Sequence, residues 1–322
     1  MSLERGFRGY ALATLGALAM LIAASPARAD TAVSACGTLS AAGNYFLTTN
    51  LNATGTCIVI GSEGVSLDMK NHTITGNGTG DGISDGGGNF ESGAIANGKI
   101  RNFNTGIGLD TSCCVVIRNV DSSNNTDTGV LVGRCCGVMD SVTANSNGTV
   151  GIMAAECCYA LNNIQANNNG TGGGIVATGC CTAIANSTVS NNGGDGIFGN
   201  DCCNFVINSK VQQNAGDGVD LTTSCCNFVV GSTVALNTAD GVHLTNNENL
   251  VTGTNASGNA GNGIFLSGTD NQITRSVASG NQGAGAQVGC PGAITGLTTK
   301  NNTGGKLTTS GGTCTQLNNK LN

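Results

Sequence analysis

Four side chains in this sequence have types and spacing that could do chemistry: Asp217, Asp220, Asp240 and His243. Asp217 and Asp240 each precede a Gly-Val pair, as Asp195 precedes Gly196-Ile197 and Asn262 precedes Gly263-Ile264. Asp220 and His243 each follow that Gly by two residues, in a series that reads Leu131, Met153, Val176, Phe198, Asp220, His243, Phe265 and Gln287. If the chain repeats at this step, Asp195, Asp217 and Asp240 form one vertical column, and Asp220 and His243 are neighbours in another. Stacked carboxylates repel unless they are solvated, protonated or bridged by a cation. The chemical readings are an acid–base cluster of Asp217, Asp220, Asp240 and His243, or a calcium or sugar site. The plain reading is an Asp-Gly turn pair multiplied by duplication.

A second set is sulfur. Of 16 cysteines, twelve form doublets: Cys113-Cys114, Cys135-Cys136, Cys157-Cys158, Cys180-Cys181, Cys202-Cys203 and Cys225-Cys226. Three readings stand: disulfides within a doublet or between neighbouring repeats, reduced thiols packed as small apolar groups, and thiolate columns for a soft metal. Zinc motifs usually separate their cysteines by two to four residues, and these are adjacent. The other four, Cys36, Cys57, Cys290 and Cys314, bracket the two ends. Bridges Cys36–Cys57 and Cys290–Cys314 are expected there, each stabilising by about 3 kcal/mol.

The elements that must position these residues follow from one period. The doublets recur at steps of 22, 22, 23, 22 and 23. Eleven residues after each comes an Asn (Asn125, Asn147, Asn169, Asn192, Asn214, Asn237), and soon after it Gly with Ile or Val. The frame extends back to Asn102 with Gly106-Ile107 and forward to Asn259 and Asn281. With 52 Gly and 41 Asn among 322 residues, helices are disfavoured. Short alternating pairs such as Val219/Leu221 and Ile264/Leu266 read as strands with one face buried. Three strands and three turns fill about 22 residues, which is one coil of an all-β, single-stranded right-handed parallel β-helix solenoid. The Asn column then becomes an amide ladder inside a turn.

The first 29 residues read as a signal peptide: Arg5 and Arg8, an apolar run from Ala11 to Ala24, and Ala27-Arg28-Ala29. The expected organisation is a signal peptide at 1–29, an N-terminal cap and opening coils at 30–99, regular coils at 100–289 and a C-terminal cap at 290–322. The product is expected to be secreted or periplasmic, with no membrane span after cleavage. A pI near 4.7 argues against nucleic acid as a partner.

The stretch Gly64-Val-Ser-Leu-Asp-Met-Lys-Asn-His-Thr-Ile-Thr-Gly-Asn-Gly78, then Gly80-Asp-Gly-Ile83, resembles the opening coils of bacterial right-handed β-helix repeat proteins of the pectate-lyase-like superfamily. Ala96-Asn-Gly-Lys-Ile-Arg-Asn-Phe103 with Gly106-Ile107 resembles their next coils, and Cys36 to Tyr45 their cap. The resemblance implies carbohydrate-related roles: pectate and alginate lyases, polygalacturonases, uronan epimerases and carbohydrate-binding periplasmic proteins, with one branch serving the copper site of nitrous oxide reductase. Fold does not choose among these. Asn237-Thr-Ala-Asp-Gly-Val-His243 is similar to the polygalacturonase Asn-Thr-Asp-Gly signature, but Ala239 interrupts it and that family's other motifs are absent. The Arg-rich motif of pectate lyases and the Asp-Pro-His-Glu of alginate epimerases are absent too. His72 reads as structural, and Asp81 and Asp85 beside the glycines at 86–88 as a flexible insertion or a calcium loop. Leu131, Met153, Val176 and Phe198 read as an exposed apolar strip. The expected function is a non-catalytic, exported scaffold or binding protein with a polysaccharide or cell-surface partner and no obligatory cofactor. The alternatives are a secreted polysaccharide lyase, hydrolase or epimerase, and a thiol-rich metal or redox scaffold; calcium or a soft metal is the candidate ion.

Overall fold

The computed structural model describes residues 30–88, 91–200, 203–222 and 226–322; the expected signal peptide, Cys202 and Cys225 lie outside them. The described residues contain strands and turns and no helix. Residues 31–322 form one compact parallel β-solenoid. Each of 13 coils gives one strand to a 13-stranded sheet, and the remaining strands form a 24-stranded sheet. Pairings are parallel with a step of about 22 residues, for example Val130↔Ile152, Phe198↔Asp220 and Asp220↔His243. At about 4.8 Å per coil the stack is about 60 Å long.

Three-residue strands suffice because each coil needs only two inward side chains from the 13-stranded sheet. In Val219–Leu221 the flanking Val219 and Leu221 are buried and Asp220 points out. Ile197, Val242 and Ile264 stack on Val219 in one fully buried column. The other sheet sends in its middle residues, such as Val206 and Val211. Each buried branched side chain contributes about 2 kcal/mol.

The Asn column is a buried ladder. Asn192, Asn214, Asn237 and Asn259 each donate their backbone N–H and Nδ2–H to Oδ1 of the next Asn, at 2.8–3.1 Å. It runs from Asn125 to Asn302. Its frame does not extend back through Asn102: Phe103 N–H donates to Asn125 Oδ1, so Phe103 holds the ladder position. Asn102 instead sits at φ 57°, one residue early. The same division explains the Asn-Asn pairs. Asn124, Asn168 and Asn191 take the left-handed turn conformation, and the Asn after each makes the rung.

A second ladder follows the cysteine doublets. Asn204, Asn227 and Asn249 each donate a backbone N–H to Oδ1 of the next Asn, ending at Asn271. Asn after each of the last two doublets was its sequence signal.

Candidate functional site

The Asp-Gly column and the Asp220–His243 pair meet on the outward edge of the 13-stranded sheet. Each Asp before the Gly is first a turn element. Asp195 Oδ1 accepts the backbone N–H of Asp217 at 2.7 Å, Asp217 Oδ1 that of Asp240 at 2.6 Å, and Asp240 Oδ1 that of Asn262 at 2.5 Å. Asn262 Oδ1 continues the series to Ala284 N–H at 2.9 Å. Each of the three stacked carboxylates meets an N–H of the next coil, which offsets their repulsion, and an Asn can take the fourth place. This is the duplicated-turn reading, and it uses one oxygen of each Asp.

The second oxygen of Asp217 reaches His243. His243 Nδ1 lies 3.2 Å from Asp217 Oδ2 and 3.5 Å from Asp220 Oδ1. Facing a carboxylate oxygen, Nδ1 is the donor, and Nε2 is left for solvent or ligand. The Asp217–His243 contact is diagonal across the coils. It was not visible in a column-by-column reading. Phe265, one coil on, meets the imidazole edge-on at 4.9 Å between ring centroids. Asp220 Oδ1 is buried and makes no hydrogen bond.

Burial pushes the Asp220 carboxyl up to about 7, opposed by His243 and reinforced by Asp217, Asp195 and Asp240. Burial also raises Asp195 and Asp240, against the backbone N–H groups they accept. The hydrogen bond to Asp217 raises His243, against burial and with help from Asp220 and Asp240. Asp220 and His243 are thus both shifted toward their protonated forms, side by side.

This arrangement gives stability a pH dependence. Asp220, raised above its ordinary 3.8, contributes fully below that value and loses the contribution as pH climbs to about 7. His243, raised above 6.5, contributes fully below 6.5 and loses it as pH passes its folded value. Both slopes have the same sign, so stability falls as pH rises from 4 through 7. Asp220→Asn, which mimics the protonated carboxyl, is expected to flatten that fall and to exceed the parent's urea midpoint at pH 8. Equal shifts at pH 5 and pH 8 would contradict the burial of an ionisable Asp220.

Asp217, Asp240 and His243 could hold a metal, since one donor atom from each lies within 4.8 Å of the others. Two carboxylates and an imidazole suit a borderline divalent ion better than calcium, which takes six to eight oxygens. At the other calcium candidate the Asp85 carboxylate is turned to protein donors. Asp85 is 3% exposed and accepts from Gly87 N–H, Thr111 N–H and both the Thr111 and Ser112 hydroxyls. Asp85 is a tied-down turn, and Asp81 bonds Ser84. His72 Nδ1 pairs with Asn50 Oδ1 at 3.3 Å, in the opening coils and apart from the cluster.

The apolar strip is less open than the alternation suggests. Leu131, Met153 and Phe198 are half-buried and Val176 is 8% exposed, because side chains one coil apart cover one another. A shallow groove of about 220 Å³ lies on the 24-stranded sheet, lined by Asn71, Lys99, Asn119, Asp121 and Ser141, away from the cluster.

The cysteines separate by place. Cys36–Cys57 and Cys290–Cys314 are bridged, and so is one doublet pair, Cys113–Cys135, which removes those two from any thiolate column. None of the described doublet cysteines is buried. The packed-thiol reading fails because the backbone bends at the doublets. Cys114, Cys181, Cys203 and Cys226 are left-handed there, at φ 56–64°. In two other coils the residue before the doublet, Arg134 or Glu156, takes that role. The in–out alternation of a strand is lost, and sulfurs of both columns reach the surface. Cys114, Cys136, Cys157, Cys158 and Cys181 are exposed thiols.

Residues 173–321 match the family model described as a right handed beta helix region. No curated protein matches the chain in sequence. Among solved structures, the A-module of Azotobacter vinelandii mannuronan C-5 epimerase AlgE6 is 15% identical, with TM-score 0.61, covering 90% of this chain and 88% of that one. The Dettilon tailspike protein is 13% identical, with TM-score 0.59, covering 83% and 62%. The periplasmic alginate epimerase AlgG is 12% identical, with TM-score 0.51, covering 86% and 76%. At these identities the likeness is one of fold.

Proposed function

We propose that this protein, a right-handed parallel β-helix, binds a neutral glycan along the outward face of its 13-stranded sheet. One observation carries the reading: Phe198, Asp220, His243 and Phe265 form a single column on four successive coils. Two apolar ring faces about 14 Å apart flank a polar centre. Ligand sites commonly combine apolar lining with a few fixed polar groups. Sugar hydroxyls can donate to Asp217 and Asp240, and His243 Nε2 can meet a hydroxyl or ring oxygen. A carboxylate-rich centre on a chain of formal charge −6 repels uronate polymers, which favours a neutral chain. The named activities of the epimerase neighbours support a carbohydrate role for the fold. Three disulfides and the leader-like first 29 residues support a secreted or periplasmic location.

The test is calorimetry of the purified protein against neutral oligosaccharides, alginate and pectin fragments, with and without calcium. Phe198→Ala and Phe265→Ala are each expected to weaken neutral-glycan binding about tenfold, the cost of a lost stacking platform of about 1.4 kcal/mol. Binding that survives both changes, or retention of uronates alone, refutes the assignment.

A second reading has its own observation. A carboxyl raised by burial to about 7 beside an imidazole that is itself raised is suited to general acid catalysis. Turnover of a glycan that Asp220→Asn or His243→Ala abolishes would replace binding with processing.

A further inference from the structure

The cysteine face lies outside the glycan column, and its chemistry is that of exposed thiols at disulfide spacing. Cys158 and Cys181 sit on successive coils, in line with the register Leu161↔Ile184. The Cys181 thiol donates to Cys158 and accepts from Cys203 one coil on; Cys158 and Cys181 are exposed and Cys203 is partly covered. The same coil-to-coil step already carries three bridges, at sequence separations of 21, 22 and 24 and Cα–Cα distances of 4.6–5.1 Å. Those distances lie within the disulfide range, so one coil step is a spacing that a disulfide can close.

What separates this pair from the terminal staples is access. Cys57, Cys290 and Cys314 are at most 8% exposed, and Cys36 is half-buried. Cys158 and Cys181 stand at the surface, beside the exposed thiols of Cys157 and, one coil back, Cys136. Metal binding is the poorer use of this surface. Among the described residues the group with three donors close enough for one ion is Asp217, Asp240 and His243, and it contains no sulfur. A column offers sulfurs in pairs along its axis, not the tetrahedron that zinc takes.

We propose that Cys158 and Cys181 form a reversible dithiol–disulfide couple whose substrate is a disulfide in a small molecule or peptide. One thiol of the pair loses its proton and attacks a substrate sulfur. A mixed disulfide forms, and the first substrate thiolate leaves and takes a proton. The second cysteine, as thiolate, attacks the protein sulfur of that mixed bond. The Cys158–Cys181 bond forms, and the second substrate thiolate leaves and is protonated. The substrate disulfide gains two electrons and becomes two thiols; the pair loses two and becomes a disulfide. Excess external thiol drives the reverse. Burial and neighbouring cysteines raise both thiols above their ordinary range, so the attacking thiolate is scarce at neutral pH and exchange speeds up as pH rises.

The test equilibrates the full chain in glutathione buffers of graded ratio, traps free thiols by alkylation and maps linked peptides by mass spectrometry without reduction. Oxidised glutathione is expected to produce a Cys158–Cys181 link, two reduced glutathiones leaving for each link formed, and excess reduced glutathione to reopen it. Cys36–Cys57 and Cys290–Cys314 should stay closed throughout. Cys181→Ser should instead retain one glutathione on Cys158, while Cys114→Ser behaves as the parent. These positions are exposed, so the serine variants keep the fold. Any of three results overturns the proposal: both thiols alkylated at every ratio, a link that reduced glutathione cannot open, or Cys181 linked to Cys203 in place of Cys158.

Discussion

Gly218→Ala is expected to lower stability by about 3 kcal/mol, with the urea midpoint as readout. A methyl at Gly218 would lie 2.2 Å from Val234 Cγ1, 2.6 Å from Asn237 Nδ2 and 2.6 Å from the Gly241 carbonyl oxygen. Real side chains do not approach this closely. Two of the three atoms are fixed, one in the Asn ladder and one in the backbone of the next coil. To admit the methyl the coils must part, which strains the bond from Gly218 N–H to Asp240 O at 2.9 Å and the ladder beside it. Gly196, Gly241 and Gly263 meet the same kinds of atoms, which is why a Gly recurs in every coil after the Asn. Gly37 is the control: nothing lies within 4 Å of its added methyl, and Gly37→Ala should stay within about 0.5 kcal/mol of the parent. If the two variants unfold alike, close coil contact is not what the Gly column serves.

Asn214→Ala should cost a similar amount, about 3 kcal/mol, for a different reason. Asn214 is fully buried, and its Oδ1 accepts from both Asn192 N–H at 3.1 Å and Asn192 Nδ2–H at 2.8 Å. Alanine leaves both donors dry and unpaired, at about 1–3 kcal/mol each. Hydrogen exchange at Asn192 should accelerate most, since its backbone N–H loses its acceptor while neighbouring coils keep theirs. Asn214→Asp restores the acceptor but sets a carboxylate against Asn237 Oδ1, so it should be worse at pH 8 than at pH 4. Unchanged protection at Asn192 in the alanine variant would show that the ladder is a by-product of stacking.

How much of this was legible in the sequence follows from the geometry of a solenoid. A coil returns the chain above itself every 22 or 23 residues, so a sequence period becomes a spatial contact. Asn192, Asn214 and Asn237 could be read as a ladder and Asp220 as a neighbour of His243, because each relation is one step of that period, while Cys36 with Cys57 was legible from its place at an end of the stack. The Gly column was visible too, although the atoms it must clear were not.

What the period does not carry is the backbone path within a coil. Left-handed residues at Cys114, Arg134, Glu156 and Cys181 turn the doublets outward, and no alternation rule anticipates this. The rung at Phe103 in place of Asn102 is a one-residue offset set by the same kind of turn. The diagonal reach of His243 to Asp217 joins two different columns, and the buried, unpaired Oδ1 of Asp220 depends on how those columns lean together. Residue types and spacing thus determined the stacking, the ladders and the capping bridges. The tertiary structure decided which sulfurs face water and which carboxyl is buried, because orientation and burial depend on backbone dihedrals that the repeat leaves open.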